Sequence, residues 1–335
     1  MIGFIIETLI KVILVVLIFS ALAGFATYIE RKMLAFFQRR LGPMVVGPFG
    51  VLQILADGIK LFTKEDIVPS GANRLIFRIA PVITAATAFI AMAPIPFFPE
   101  FEIFGRVVQP IIADINVGIL FVLGVGAAGL YGPLLAGISA NSKYSLLGAA
   151  RTAIQLLSFE VVSGLSLLAP IMLVGSLSLI DINNYQEGSI TNWLIFSQPL
   201  AFVLFLFAGY AGYAELNRTP FDLLEHEAEV VAGYATEYAG MRWGMFFIGE
   251  YANMISLSFV ISLLFLGGFN PLWFIPGGIA ILLKVMFFIF LFMWARAAYP
   301  HIRPDQLMGL CWKVLFPLAL LNIVITGVVV LGGEM

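Results

Sequence analysis

Residues 251–283 read YANMISLSFVISLLFLGGFNPLWFIPGGIAILL, a stretch without a single charged side chain. A run of about 20 apolar residues is long enough to cross a bilayer as a helix. The pair Gly267-Gly268, followed by Pro271 and Pro276, interrupts the stretch, and such residues mark turns. The stretch therefore predicts two membrane-spanning helices joined by a short turn.

The composition of the whole chain points to the same class of protein. Its 335 residues are 61% hydrophobic and 11% charged, whereas soluble domains carry about 25% charged residues. We expect an all-α polytopic membrane protein with one transmembrane domain over residues 1–335. A net charge of -2 provides no basic surface for nucleic acid. The single Cys311 excludes an internal disulfide, and the isolated His226 and His301 predict no metal or haem site.

Apolar runs of spanning length occur eight times. They predict helices at about residues 12–29, 77–98, 115–137, 152–176, 194–214, 243–267, 276–295 and 313–333. Of the 18 lysines and arginines, 15 lie in the segments 30–78, 138–151, 215–242 and 296–313. Because basic loops stay in the cytoplasm, these four loops are predicted to face it, with both termini on the non-cytoplasmic side.

A shorter helix is predicted between the first two spans. Residues 50–62 read GVLQILADGIKLF, in which Leu52, Leu55, Ile59 and Phe62 recur at helical spacing. This pattern is typical of an amphipathic helix. Such a helix lies at the membrane interface or packs on a partner protein, and the pattern fits both.

The acids of this chain are concentrated in residues 215–238, ELNRTPFDLLEHEAEVVAGYATEY, which contain six carboxylates. If a helix begins at Thr219-Pro220, then Asp222, Glu225 and Glu229 share one face, where like charges repel. Repulsion between close carboxylates raises at least one pKa, so such a chain of acids can hold and pass protons. A solvated acidic face is the alternative.

Two further acids, Glu160 and Glu250, lie roughly 12 Å inside predicted spans at 1.5 Å per residue. Acids within membrane helices are usually functional. Structural ion pairs are the alternative, because Arg151 lies near Glu160 in the sequence and Lys284 is a third ion inside a predicted span. We therefore predict that Glu160 and Glu250 belong to the same proton path as the acidic loop.

Six segments, read in order, identify a family. They are ERKMLAFFQRRLGP at 30–43, QILADGIKL at 53–61, RTAIQLLSFE at 151–160, the acidic loop at 215–238, EYAN at 250–253 and WARAAYPHIRPDQLMGLCWK at 294–313. With these segments the chain resembles, over nearly its whole length, the family of H subunits of respiratory NADH:quinone oxidoreductase, complex I.

The resemblance implies a fold, partners and a membrane. Members of this family have eight membrane helices and no redox centre, and they couple quinone reduction to proton translocation. Quinone is expected as substrate, with FMN and iron-sulfur clusters in partner subunits. The expected partners are the peripheral subunits with the quinone site and the terminal iron-sulfur cluster, the small and antiporter-like membrane subunits, and lipid. The expected location is the bacterial inner membrane.

The resemblance also implies roles for individual residues. Residues matching the quinone chamber are Glu30, Arg31, Lys32, Gln38, Arg40, Arg296, Arg303 and Asp305. Residues matching the acidic path towards the proton pumps are Glu160, Glu215, Asp222, Glu225, Glu227, Glu229 and Glu250. This second set agrees with the electrostatic interpretation of the acidic loop.

Three other functions compete with this prediction. Related subunits anchor membrane-bound hydrogenases and dehydrogenases that use quinones or phenazines without NADH, so the electron donor stays open. A stand-alone transporter predicts inverted repeats around a midplane site, and the sequence has no convincing repeat. A purely structural anchor leaves the acids inside the apolar helices unexplained.

Overall fold

A computed structural model describes residues 2–103, 105–197, 212–222, 231–271 and 275–333. Its helices are α1 Ile2–Phe37, α2 Gln53–Thr63, α3 Arg74–Ile90, α4 Gly118–Gly129, α5 Tyr131–Ser139, α6 Lys143–Val174, α7 Leu179–Tyr185, α8 Leu194–Ser197, α9 Gly240–Phe265, α10 Gly277–Ala298, α11 Pro304–Leu310 and α12 Phe316–Gly333. Short 3-10 turns occur at Pro48–Gly50, Ile190–Asn192 and Gly233–Ala235, and a π turn at Cys311–Leu315 joins α11 to α12. The described chain is thus mainly helical.

Among these residues, six helical segments are long and apolar enough to cross a membrane. They are Ile6–Phe37, Gly118–Ser139, Lys143–Val174, Gly240–Phe265, Gly277–Ala298 and Pro304–Gly332. The chain is therefore a multi-pass membrane protein, and six of the predicted spans are found. The total of eight stays a prediction.

The two remaining predicted spans differ for different reasons. The span predicted at 77–98 corresponds to α3, which has 17 residues and ends at Ile90. Pro94 and Pro96 follow, and proline cannot donate a helical hydrogen bond and disfavours helical geometry in the residue before it. Of the span predicted at 194–214, residues 198–211 lie outside the described residues.

Between α3 and α4 the structure contains one small hairpin that the sequence did not predict. The strands β1, Phe101–Ile103, and β2, Arg106–Val108, pair in antiparallel register, with Phe101 opposite Val108. The proline-rich stretch before them prevents α3 from continuing. The hairpin therefore lies beyond the predicted second span, in the loop that precedes the predicted third span.

Helix α9 lies at the centre of the described bundle and α1 at its edge. In their most apolar windows, 72% of the α9 residues are buried and only 17% of the α1 residues. Helix α9 packs against α1, α3 and α10. Helix α1 also continues beyond its predicted end to Phe37, so Glu30 lies on a helix instead of in a loop. Glu30 is thereby directed at the central helix.

The turn after α9 depends on glycine, as the uncharged stretch at 251–283 predicts. Gly268 has a φ of +44°, and a Cβ there would lie 2.2 Å from the Asn183 Oδ1 atom. The left-handed conformation alone costs an alanine about 1–2 kcal/mol.

We expect Gly268→Ala to lower the thermal unfolding temperature of the detergent-purified protein. Gly164→Ala is the control, because its Cβ meets no atom within 4 Å, and equal unfolding temperatures in the two variants would contradict this account.

Candidate functional site

A buried ion cluster surrounds Glu30, whose side chain is 3% exposed. Arg218 donates a hydrogen bond to its Oε2 atom, and Arg296, in the last turn of α10, donates to Oε1. The Tyr251 hydroxyl, on α9, donates to Oε2 over 2.8 Å. One carboxylate therefore joins α1, α9, α10 and the loop that follows the predicted fifth span.

Arg218 is the most enclosed cation of this cluster. Its side chain is 4% exposed, and its guanidinium lies 4.1 Å from the centre of the Tyr251 ring, a cation–π contact. Burial lowers the pKa of Arg218, but Tyr251, Glu30 and Glu250 together raise that pKa above its usual value. The guanidinium therefore stays charged although it is buried.

The loop that carries Arg218 is held by side chains from neighbouring helices. Gln155 on α6 donates to the Phe221 carbonyl over 2.7 Å and to the Ala214 carbonyl over 2.9 Å. The Tyr213 hydroxyl donates to the Thr219 carbonyl and stacks on Phe292 of α10. These contacts fix the loop on both sides of Arg218.

Beside this cluster lies a cavity of about 160 Å³ lined by Glu160, Glu215 and Glu250. These acids come from α6, from the helical residues 212–215 that precede the loop, and from α9. The Ser163 hydroxyl donates to Glu215, and the Tyr234 hydroxyl donates to Glu250 over 3.4 Å. The rest of the lining is mostly apolar, so the cavity can hold protonated carboxyls or charge shared among them.

Glu215 is the acid of the cavity that lies outside the six spanning segments. Burial raises its pKa to about 7, the Ser163 hydrogen bond opposes this, and the nearby Glu160 carboxylate adds to it. A group with this pKa changes its protonation near neutral pH. Glu215 is therefore suited to accept and release a proton.

Other predicted chamber residues do not join the Glu30 cluster. Arg31 pairs with Asp57 over 2.6 Å, and Lys32 contacts the Met44 sulfur over 3.1 Å. The remaining four residues form exposed local pairs, Arg40 with Gln38 over 2.6 Å and Arg303 with Asp305 over 3.5 Å. The described chain thus has one buried ion cluster and a separate set of polar side chains at the surface.

The acidic loop is only partly described. Asp222 follows the buried Phe221 and is half-buried, and its charge acts on Tyr213. Glu225, Glu227 and Glu229 lie outside the described residues. Residues 219–221 form a turn and a bend and Asp222 is not helical, so the helix predicted to begin at Thr219-Pro220 does not begin there.

Sequence reasoning missed Arg218, Tyr251, Ser163 and Tyr234. Arg218 is the single basic residue between two acids of the loop, and Tyr251 follows the intramembrane Glu250. A cation among acids, next to a predicted membrane helix, was the available signal. Together the cluster and the cavity define a multi-pass membrane protein whose interior holds paired charges beside a group of acids.

The comparisons with known proteins agree with this class. The model of the NADH dehydrogenase family matches residues 10–327. A Wolinella succinogenes protein named as the H subunit of NADH-quinone oxidoreductase is 78% identical, over 98% of this chain and 99% of the relative. Proteins of the same name from Nitratiruptor sp. and Helicobacter acinonychis are 73% and 68% identical, over 98% of this chain and 98% and 99% of theirs. The chain belongs to the NADH dehydrogenase family, which confirms the resemblance to the H subunits of complex I.

Proposed function

We propose that this chain is the non-redox membrane coupling subunit of a proton-translocating NADH:quinone oxidoreductase. The proposal rests on one observation: the Glu30 ion cluster and the carboxylate-lined cavity lie next to each other. They share α9, through Tyr251 on one side and Glu250 on the other. A change of charge at one site therefore acts on protonation at the other.

The quinone chamber is proposed to lie on the side of the cluster where Arg296 is partly open. The Arg296 side chain, which donates to Oε1 of Glu30, is 35% exposed, while Oε2 accepts hydrogen bonds from the buried Arg218 and Tyr251. Glu30 accordingly orients arginine, and the arginine donors face the quinone carbonyls. Arg31, Lys32, Gln38, Arg40, Arg303 and Asp305 form the polar surface of the chamber together with the peripheral partners.

The proton path is proposed to run through the acids of the cavity. Glu215, with its pKa near 7, exchanges protons with Glu160 and Glu250. Asp222, Glu225, Glu227 and Glu229 extend the path along the loop. Quinone reduction in the chamber alters the charge next to Arg218, and the acids respond by taking up or releasing protons.

The proposed role also implies the partner subunits, the membrane and the orientation of the chain in it. FMN and iron-sulfur clusters belong to peripheral subunits, and the small and antiporter-like subunits complete the membrane arm. Helix α2 lies at the interface of the bacterial inner membrane, because Leu55, Ile59 and Phe62 are 63%, 65% and 74% exposed. The cytoplasmic loops face the peripheral arm, and both termini lie on the opposite side.

The first test isolates the tagged chain from its native membrane in mild detergent and identifies the proteins that accompany it. NADH:quinone activity that respiratory inhibitors block, together with iron-sulfur and antiporter-like subunits, supports the proposal. Recovery with hydrogenase subunits, or quinone reduction from another donor only, assigns the chain to the alternative enzymes.

The second test substitutes Glu250 in the intact enzyme. Glu250→Gln keeps the shape of the side chain but cannot release a proton. We expect proton pumping per NADH to fall by about tenfold while the subunits still assemble. This loss is smaller than the roughly 10²–10⁴-fold contribution of a single general acid or base, because Glu160 and Glu215 remain in the cavity. Glu187→Gln is the control, because Glu187 is exposed. Wild-type pumping by Glu250→Gln in vesicles removes Glu250 from the path.

A further inference from the structure

Arg218 belongs to the ion cluster and directly follows Asn217, which lines the acid cavity. Glu30 and Tyr251 hold it on the cluster side. The hydrogen-bonded cluster carries two guanidinium groups and one carboxylate. In addition, the Arg218 Nε atom is buried without a hydrogen-bond partner. The pairing with Glu30 thus leaves part of the hydrogen-bonding capacity of Arg218 unused.

The next carboxylate towards the cavity is Glu250. It precedes Tyr251 on α9, lines the cavity and acts electrostatically on Arg218. The charged and titratable groups around Arg218 come from four elements. They are Glu30 on α1, Tyr251 and Glu250 on α9, Arg296 on α10, which shares Glu30 with it, and Tyr213 and Asp222 on the segment 212–222 that carries it. Charged groups of both sites therefore act electrostatically on Arg218.

We propose that Arg218 is the positioning residue that couples the two sites. Its guanidinium interacts with both Glu30 and Glu250 when Glu250 is ionised, and mainly with Glu30 when Glu250 is protonated. This inference rests on the proposed function and specifies its regulation. With Glu250 ionised, Arg218 neutralises it and holds Glu30 less firmly. With Glu250 protonated, Arg218 interacts with Glu30 alone, and the position of Arg296 at the chamber becomes more restricted. The guanidinium stays protonated throughout, so no proton passes through it.

A double-mutant cycle on the intact enzyme tests this coupling. Arg218→Gln, Glu250→Gln and the double variant are compared for NADH:quinone activity and for pumping in sealed vesicles. Each single substitution is expected to reduce pumping by about tenfold. The pumping rate of the double variant should lie within about twofold of that of the less active single variant, because the effects of residues that act as a unit are not additive. Losses that multiply, to about a hundredfold, overturn the coupling.

The pH profile separates coupling from a structural role. A carboxylate that loses a neighbouring cation holds its proton more tightly. Arg218→Gln should therefore move the pH profile of pumping to higher pH, and the shift should be absent in the Glu250→Gln background. A uniform loss of activity at every pH contradicts the proposal. If Glu250→Gln alone behaves like the wild type, the proton path itself fails, which is a different result.

Two further variants keep the test decisive if Arg218→Gln does not assemble. Arg218→Lys retains the charge but lacks the planar fork of arginine, so it should assemble and show a smaller pH shift that Glu250→Gln again abolishes. Arg242→Gln is the matched control, because Arg242 also pairs with a carboxylate, Asp66, and lies 5.6 Å from an aromatic ring, Phe77. A pH shift of equal size in Arg242→Gln removes any special role of Arg218.

Discussion

Replacing Glu30 by alanine is expected to prevent this subunit from accumulating in an assembled complex. The substitution leaves Arg218 and Arg296 next to each other without the carboxylate they share, and it deprives the Tyr251 hydroxyl of its acceptor. Removing one partner of a buried ion pair costs about 3–5 kcal/mol. Since folded proteins are stable by only about 5–15 kcal/mol, the loss is a large fraction of the total.

The measurement is the amount of subunit recovered with its partners from membranes, followed by thermal unfolding of whatever is recovered. Asp57→Ala is the matched control. It also removes a carboxylate from an arginine, but the Arg31 and Asp57 side chains are 48% and 27% exposed, and exposed pairs contribute about 0–1 kcal/mol. Normal recovery and unfolding of Glu30→Ala would show that the cluster does not hold the helices together.

The sequence predicts the spans because their cause is local. A helix in lipid needs a continuous apolar run, and that run is visible in the chain itself. The turn at Gly267-Gly268 is visible for the same reason, and the structure places it between Phe265 and Gly277. Pro94 and Pro96 are also visible in the sequence, but a count of apolar residues does not weigh prolines, so it predicts a second span that is too long.

The ion cluster has a different origin, and the sequence does not reveal it. Glu30 is separated by 188 residues from Arg218 and by 266 from Arg296. Arg218 stands out locally only as a cation between two acids, and nothing local distinguishes Arg296 from the other basic residues of its predicted loop, whose charges mark topology. Only the packing of α1 against α9 and α10 selects them. By contrast, the cavity acids Glu160 and Glu250 were predicted, because a charge inside an apolar helix is conspicuous in the sequence.

Lys284 is the second place where one substitution is expected to have a large effect. It lies on α10 and is 5% exposed, and its Nζ atom donates to the carbonyls of Gly268 over 2.8 Å and Asn270 over 3.2 Å. The ammonium also lies 4.3 Å from the centre of the Trp193 ring. A cation at the C-terminal end of a helix is favourable, and here it satisfies backbone groups beyond the end of α9.

Lys284→Met keeps much of the volume and removes these hydrogen bonds. Each buried carbonyl left without a donor costs on the order of 1–3 kcal/mol, so thermal unfolding in detergent should occur at a clearly lower temperature. Lys11→Met is the control, because Lys11 pairs with the 64% exposed Glu7 of its own helix. Lys284 is an ion inside a predicted span, which is compatible with a role in the proton path or with a structural role, and the two roles make opposite predictions. Unchanged unfolding with lost proton pumping would assign Lys284 to the proton path, whereas lower stability with a normal ratio of protons to NADH assigns it to the turn after α9.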